Sequence, residues 1–335
     1  LSSARSTDSE RLAITFCANP CILSGEGAYQ TYSPTNQFSI NISERKIMNI
    51  STQTSPVEIQ ALPANGMVFR CRLSGPAQGE PVILLHGFPE TSHMWEPVMI
   101  SLAAEGYRCL APDQRGYSAG ARPAQLNHYQ IDQIASDIVA LADHQGWQKF
   151  HLVGHDWGAG CGWTVVTLYP ERISSWTALS IPHMAAFDRA KKTDADQKQR
   201  SWYMDAFQLP VIPEQVFGLA IAMNRQSVWK YSSSAEIADY STVFDDFNGR
   251  NAAINWYRAN KTLPVTYGEV SLPTLLIWGT QDPVIGRAGV ELTNSYMKGE
   301  YRLIELEAGH TLVQEKFQQV NQAILDQIRK HPIAS

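Results

Sequence analysis

Cysteine is scarce in this chain, with five residues in 335, at Cys17, Cys21, Cys71, Cys109 and Cys161. An odd, scattered set is no disulfide framework, and Cys17 with Cys21 lacks the second pair that a zinc site needs. Cys71, Cys109 and Cys161 fall in or beside apolar runs, where free cysteine packs as a small hydrophobe. No apolar run reaches the length of a membrane span. Basic charge is in deficit: 27 Lys and Arg stand against 32 Asp and Glu, and the formal charge of −5 speaks against a nucleic-acid surface or an anionic membrane as partner. No basic n-region leads into an apolar h-region near residue 1, so no secretory signal is visible and a reducing cytoplasm is the expected setting. No H-E-x-x-H or other metal-ligand cluster is present, and no metal or organic cofactor is expected. Internal repeats and low-complexity stretches are also missing.

Hydrophobic residues at 44% and charged residues at 18% are globular values. The length suits one large α/β domain with an insertion, or two small domains. Residues 1 to about 55 differ from the rest: they are rich in Ser, Thr and Asn and show no sustained periodicity. The first methionine is Met48, and residues 1–47 are expected to be an extension upstream of a natural start there. Asn41-Ile42-Ser43 and Asn49-Ile50-Ser51 match the glycosylation pattern, which carries meaning only on a secretory route.

From Val57 the chain alternates strands and helices. Val57–Leu62 and Met67–Leu73, joined through Pro63-Ala64-Asn65-Gly66, read as a hairpin. Pro81–His86 is a continuous apolar run, as expected of a strand buried on both faces. A helix over 94–105, a strand over 107–111, a helix over 129–146 and a strand over 150–154 follow. A helix over 158–169 and a run around Trp176–Ile181 come next. Strand character returns at Pro273–Trp278 and Tyr301–Leu306, before a final helix from about Leu312 to Lys330. Such alternation predicts a mostly parallel central sheet flanked by helices. Between His183 and about Thr266 the pattern is helical and aromatic-rich without a convincing strand. We therefore expect a helical cap over 183–266 inserted into a core made of 48–182 and 267–335.

The stretch that organises the chain is Leu152-Val153-Gly154-His155-Asp156-Trp157-Gly158. An apolar run ends in small–x–Asp–x–small and a helical segment follows, which is the grammar of a nucleophile elbow. Gly154 and Gly158 suit positions that approach closely across so sharp a turn. Aspartate occupies the tip where serine is more common. Serine attacking a saturated carbon would leave an ether that water does not readily cleave. A carboxylate attacking the same carbon leaves an alkyl ester, which water can open at the carboxylate's own carbonyl. Asp156 therefore points to displacement at carbon, with an epoxide or an alkyl halide as electrophile. Gly158, Gly160 and Gly162 also open a helix after a strand, but their spacing lacks the third glycine where dinucleotide binding places it.

A nucleophile on this arrangement needs an acid and then a histidine later in the chain. Asp282 follows the strand ending at Trp278, and Ala308-Gly309-His310 follows the last strand. No acid directly follows the strand before Pro182, which supports Asp282 as the histidine's partner; it also suits a helix N-cap before Pro283. His86-Gly87-Phe88-Pro89 follows the first buried strand. The backbone amides of Phe88 and Trp157 are the expected oxyanion donors.

Over roughly residues 55–335 the chain resembles the epoxide hydrolase branch of the α/β hydrolases. The matching motifs are His86-Gly87-Phe88-Pro89, Asp113-Gln114-Arg115-Gly116-Tyr117-Ser118, Gly154-His155-Asp156-Trp157-Gly158 and Ala308-Gly309-His310. The resemblance implies two cap tyrosines that hydrogen-bond the epoxide oxygen. Tyr203, four residues before Phe207-Gln208-Leu209-Pro210, matches the first, and Tyr257 within Asn255-Trp256-Tyr257-Arg258 matches the second. The implied reaction takes a small apolar epoxide and water to a vicinal diol through an ester on Asp156, in a monomer or homodimer. Haloalkane dehalogenases share the Asp elbow and the Asp–His pair, and Trp157 could serve halide binding; Phe88, lacking a side-chain donor, fits them less well. A non-catalytic ligand receptor on the same fold is a further alternative, which the full Asp156, Asp282 and His310 set disfavours.

Overall fold

The computed structural model describes residues 57–333. Cys17, Cys21, Met48, both glycosylation patterns and the proposed extension lie outside them. The first two strands, β1 (Glu58–Ala64) and β2 (Met67–Ser74), form the expected antiparallel hairpin. Its two-residue turn places Asn65 at φ 49° and Gly66 at φ 74°. Positive φ at both positions gives the turn a twist that matches the strands.

Six further strands complete one sheet: β3 (Pro81–Leu85), β4 (Arg108–Pro112), β5 (Phe150–His155), β6 (Ile173–Leu179), β7 (Thr274–Gly279) and β8 (Tyr301–Leu306). The order is β1-β2-β4-β3-β5-β6-β7-β8, with β1, β2 and β4 paired antiparallel and all remaining neighbours parallel. Val82, Ile83, Leu84 and Leu85 are fully buried, because helices cover both faces of the parallel part. Among those helices are α1 (Glu96–Ala104), α2 (Ile131–His144) and α3 (Trp157–Leu168). In α2, Ile131, Ile134, Ile138 and Leu141 recur on one face and are all buried. Helix α3 meets the sheet very closely. A Cβ on Gly162 would lie 2.0 Å from the Trp176 ring of β6, so this glycine serves helix–sheet packing and no dinucleotide.

Between β6 and β7 the chain makes six helices: α4 (Met184–Thr193), α5 (Ala195–Arg200), α6 (Trp202–Ala206), α7 (Ile212–Val228), α8 (Ser234–Phe244) and α9 (Phe247–Ala259). Buried charge ties this insertion to the sheet. Asp239 of α8 receives hydrogen bonds from Arg70 and Arg72 of β2, at 2.6 Å each, and from Thr91 at 2.5 Å. Trp256 of α9 donates to the Arg115 carbonyl at 2.8 Å.

After β7 come α10 (Arg287–Thr293), then β8, α11 (Leu312–Glu315) and α12 (Phe317–Lys330). The single helix expected from Leu312 to Lys330 is thus two, because Lys316 adopts φ −138° and breaks it. Cys71, Cys109 and Cys161 are free and buried, as expected of small core residues. Among the described residues, no helix is long and apolar enough to cross a membrane.

Candidate active site

Parallel strands end on one edge of the sheet, and the candidate residues gather there. Phe88 follows β3, Asp156 follows β5, Asp282 follows β7 and His310 follows β8. Asp156 sits at φ 49° and ψ −123°, outside the regions ordinary residues favour. Such a conformation costs about 1–3 kcal/mol and persists where the surroundings over-determine it. Here they do. A Cβ on Gly154 would lie 2.5 Å from the Gly158 carbonyl oxygen, and one on Gly158 would lie 2.2 Å from that of Leu85. A Cβ on Gly87 would meet the Asp156 Cβ at 2.4 Å. The elbow therefore has the tight geometry its glycines imply, with aspartate at the tip.

The Phe88 amide donates to Asp156 Oδ1 at 2.8 Å. His310 Nε2 lies 3.2 Å from Asp156 Oδ2, and His310 Nδ1 lies 2.7 Å from Asp282 Oδ2. The second oxygen of Asp282 accepts from the amides of Val284 and Ile285, at 2.7 and 2.9 Å. This replaces the helix N-cap expected of Asp282: α10 starts only at Arg287, so the carboxylate caps a turn instead. Trp157 is the first residue of α3, where an amide has no partner inside the helix. Among the described residues, its N–H makes no hydrogen bond to the resting carboxylate.

Electrostatics follow from this line of three groups. Burial opposes the charged form of Asp156, but the hydrogen bond and charge of His310, aided by His155 and the Phe88 amide, hold its pKa below the usual carboxylate value. Burial likewise disfavours a charged His310, yet Asp282 and Asp156 outweigh it and raise its pKa well above that of a free imidazole. The two carboxylates thus favour the imidazolium form of the ring between them.

Asp156 opens onto a cavity of about 420 Å³, also lined by Trp157, Tyr203 and Tyr257. Tyr257 is buried and Tyr203 half-buried, with ring centroids 5.9 Å apart. Burial, with the nearby negative charge of Asp156, pushes both phenols above their usual pKa, so both keep their protons. His310 lines a second cavity, of about 470 Å³, together with Phe88, Glu90, His155 and Trp229.

Several supporting groups escaped the sequence analysis. His155 Nε2 donates to the His310 carbonyl at 2.9 Å, and Ser180 Oγ donates to the same oxygen at 2.9 Å. His155 Nδ1 lies 3.1 Å from buried Glu90, whose other oxygen accepts from Gln314. Glu315 accepts from the amides of Gly309 and Thr311, on either side of His310. Only the place of Glu90 after His86-Gly87-Phe88-Pro89, and of His155 before Asp156, hinted at these roles. The Asp113–Ser118 motif braces the Phe88 loop from behind: Gln114 donates to the His86 carbonyl, and Asp113 accepts from the Ser92 amide and hydroxyl.

The model of the alpha/beta hydrolase fold family matches residues 80–317. Epoxide hydrolase 4 of Mus musculus is 31% identical over 258 residues, covering 73% of this chain and 72% of that protein.

The chain belongs to the epoxide hydrolase family of the α/β hydrolases.

Other epoxide hydrolases are similar over nearly their whole length. Epoxide hydrolase A of Mycobacterium tuberculosis is 29% identical over 81% of this chain and 97% of its own. The crystal structure of epoxide hydrolase A from Mycobacterium thermoresistibile superposes with a TM-score of 0.70 at 26% identity, over 83% of this chain and all of that one.

Proposed function

We propose that the protein hydrolyses epoxides to vicinal diols through a covalent ester on Asp156, with segment 183–266 acting as a cap over the reacting groups. The observation that carries this reading is the line Asp282–His310–Asp156 ending at a cavity lined by Tyr203 and Tyr257. An epoxide between Asp156 and the tyrosines meets a nucleophile on one side and two protonated donors on the other. Asp156 Oδ2 attacks a ring carbon, the C–O bond of the ring breaks, and a phenol supplies the proton to the leaving oxygen. Oδ1, already held by the Phe88 amide, becomes the ester carbonyl oxygen.

Esterification then switches His310. The neutral ester no longer supplies the Asp156 charge that holds the imidazole proton. The imidazolium proton passes through water to the phenolate left by ring opening, and His310, oriented by Asp282, becomes the base for water. The amides of Phe88 and Trp157 receive the oxyanion as water adds to the ester carbon. The second cavity, which His310 also lines, offers water a route to it.

Haloalkane dehalogenation uses the same nucleophile and base, but needs donors aimed at a halide. Paired phenols suit a developing alkoxide better. A single turnover in heavy-oxygen water tests the proposal. The label should enter Asp156 and be absent from the first diol formed; label appearing directly in that diol would show Asp156 acting as a base on water. Halide release from alkyl bromides without diol formation from epoxides would favour the dehalogenase.

A further inference from the structure

His86 is fully buried beneath the loop that carries Phe88, and both of its ring nitrogens are engaged. The Gln114 backbone N–H, which can only donate, points at Nε2 from 3.1 Å. Nε2 therefore accepts, and the proton of the neutral ring sits on Nδ1. Nδ1 lies 3.0 Å from the Gly87 carbonyl oxygen, so the hydrogen bond there runs from ring to carbonyl. Burial favours the neutral ring this requires, lowering the His86 pKa against the pull of Asp113, the Gly87 carbonyl, Glu90 and Asp239. Tyr117 packs edge-on to the ring, 4.5 Å between centroids, and Gln114 Nε2 donates to the His86 carbonyl at 2.7 Å.

The bond from Nδ1 controls the peptide between Gly87 and Phe88. That peptide is trans, so its carbonyl and its N–H lie in one plane and point in opposite directions. Pinning the Gly87 carbonyl towards His86 turns the Phe88 N–H the other way, where it donates to Asp156 Oδ1 at 2.8 Å. Residue 87 needs such a restraint. A Cβ there would lie 2.4 Å from that of Asp156, so glycine is required, and glycine has the least confined backbone of any residue. The Glu90 N–H also reaches the Gly87 carbonyl, at 3.0 Å, and fills its second lone pair. Rotating the peptide would strand both donors and leave the buried imidazole N–H unpaired.

We propose that His86 is a positioning residue of the oxyanion hole, its Nδ1–H holding the Gly87–Phe88 peptide so that the Phe88 N–H aims at Asp156 Oδ1. Gln114 and Tyr117 serve the same end, one fixing the tautomer and the other the ring plane. The consequence for turnover rests on the ester mechanism, while the orientation of the peptide is independent of any substrate. Water adding to the ester places negative charge on Oδ1, whereas ester formation takes charge off Asp156. Misaiming the Phe88 N–H therefore penalises the second step more than the first.

Two substitutions separate positioning from packing. The side-chain amide of His86→Asn offers a donor where Nδ1 stands; that of His86→Gln reaches the place of Nε2 and leaves the Gly87 carbonyl without it. In crystal structures, the Phe88 N–H should keep its bond to Asp156 Oδ1 in His86→Asn and lose it in His86→Gln. An unmoved peptide in His86→Gln overturns the proposal whether or not any epoxide is turned over. Single-turnover kinetics on an aryl epoxide read the consequence. His86→Gln should slow ester hydrolysis by about tenfold to a hundredfold, less than loss of a whole donor, with ester formation little changed. His86→Asn should recover most of that rate. Equal slowing of both steps in both variants would make His86 a packing residue and overturn the proposal. A displaced peptide in His86→Gln, with no ester on Asp156 in wild type, would uphold the hold of His86 on the peptide and overturn the ester mechanism alone. Nitrogen NMR of histidine-labelled wild type gives a check that needs no folded glutamine variant. The resonances missing from His86→Asn should report the Nδ1–H tautomer at neutral pH, and the Nε2–H tautomer would overturn the proposal.

Discussion

His155 Nε2 stands 2.9 Å from the backbone carbonyl of His310, so the residue just before Asp156 holds the loop carrying the histidine that faces it. The elbow and the base loop are thereby locked to each other from behind the reacting groups. His155→Phe keeps a ring of similar size but removes both hydrogen bonds, leaving Glu90 and the carbonyl short of a partner. Losing them should cost about 1–3 kcal/mol of stability. Ester hydrolysis should slow more than ester formation, because only the former depends on His310. Thermal unfolding and stopped-flow kinetics read the two effects separately, and equal slowing of both steps would count against this division.

His310→Gln should open the epoxide and then stall. Asp156 needs no base in order to attack, and His155 and the Phe88 amide still favour its carboxylate, so the first step continues, slowed by loss of the His310 charge, while water activation is lost. One equivalent of substrate should be consumed in a burst. Intact-protein mass spectrometry should find one substrate mass added, mapping to the peptide that contains Asp156. A variant with neither burst nor adduct, on a substrate that wild type accepts, contradicts the assigned roles.

Tyr203→Phe and Tyr257→Phe should each slow ring opening by roughly one to three orders of magnitude, with one phenol partly covering for the other. The double variant should be nearly inactive and still folded. Wild-type rates in both single variants would reduce the pair to packing residues.

Acid should separate the two steps. The lowered pKa of Asp156 keeps its carboxylate available as pH falls, so ester formation persists. Hydrolysis needs neutral His310, and Asp282 continues to favour the imidazolium after Asp156 is esterified. Hydrolysis is therefore present above the His310 pKa of the ester form and lost as pH drops through it. As pH falls through that value, ester should accumulate during turnover. Acid quench at a series of pH values measures it, and a constant ester fraction would argue against the switch.

Gly162→Ala should destabilise the fold without touching the chemistry. The added Cβ falls 2.0 Å from the buried Trp176 ring, which has little freedom to yield. Overpacking of this kind costs typically about 1–3 kcal/mol. An unchanged denaturation midpoint would mean that α3 can shift away from β6.

The sequence by itself determined the strand–helix alternation, the elbow at Gly154–Gly158 and the placement of Phe88, Asp156, Asp282 and His310 after strands. These are local signals. Buried parallel strands read as apolar runs, tight turns demand glycine, and residues following parallel strands share one sheet edge. Only the tertiary structure decided how the reacting groups are oriented and charged. Asp282 looked like a helix cap because Pro283 follows it, but its turn closes through Val284 and Ile285 before α10 begins. The support of His310 by His155, Ser180, Glu90 and Glu315 joins residues from distant stretches, and no spacing rule connects them. The raised pKa of His310 likewise needs two carboxylates at measured distances on opposite ring nitrogens.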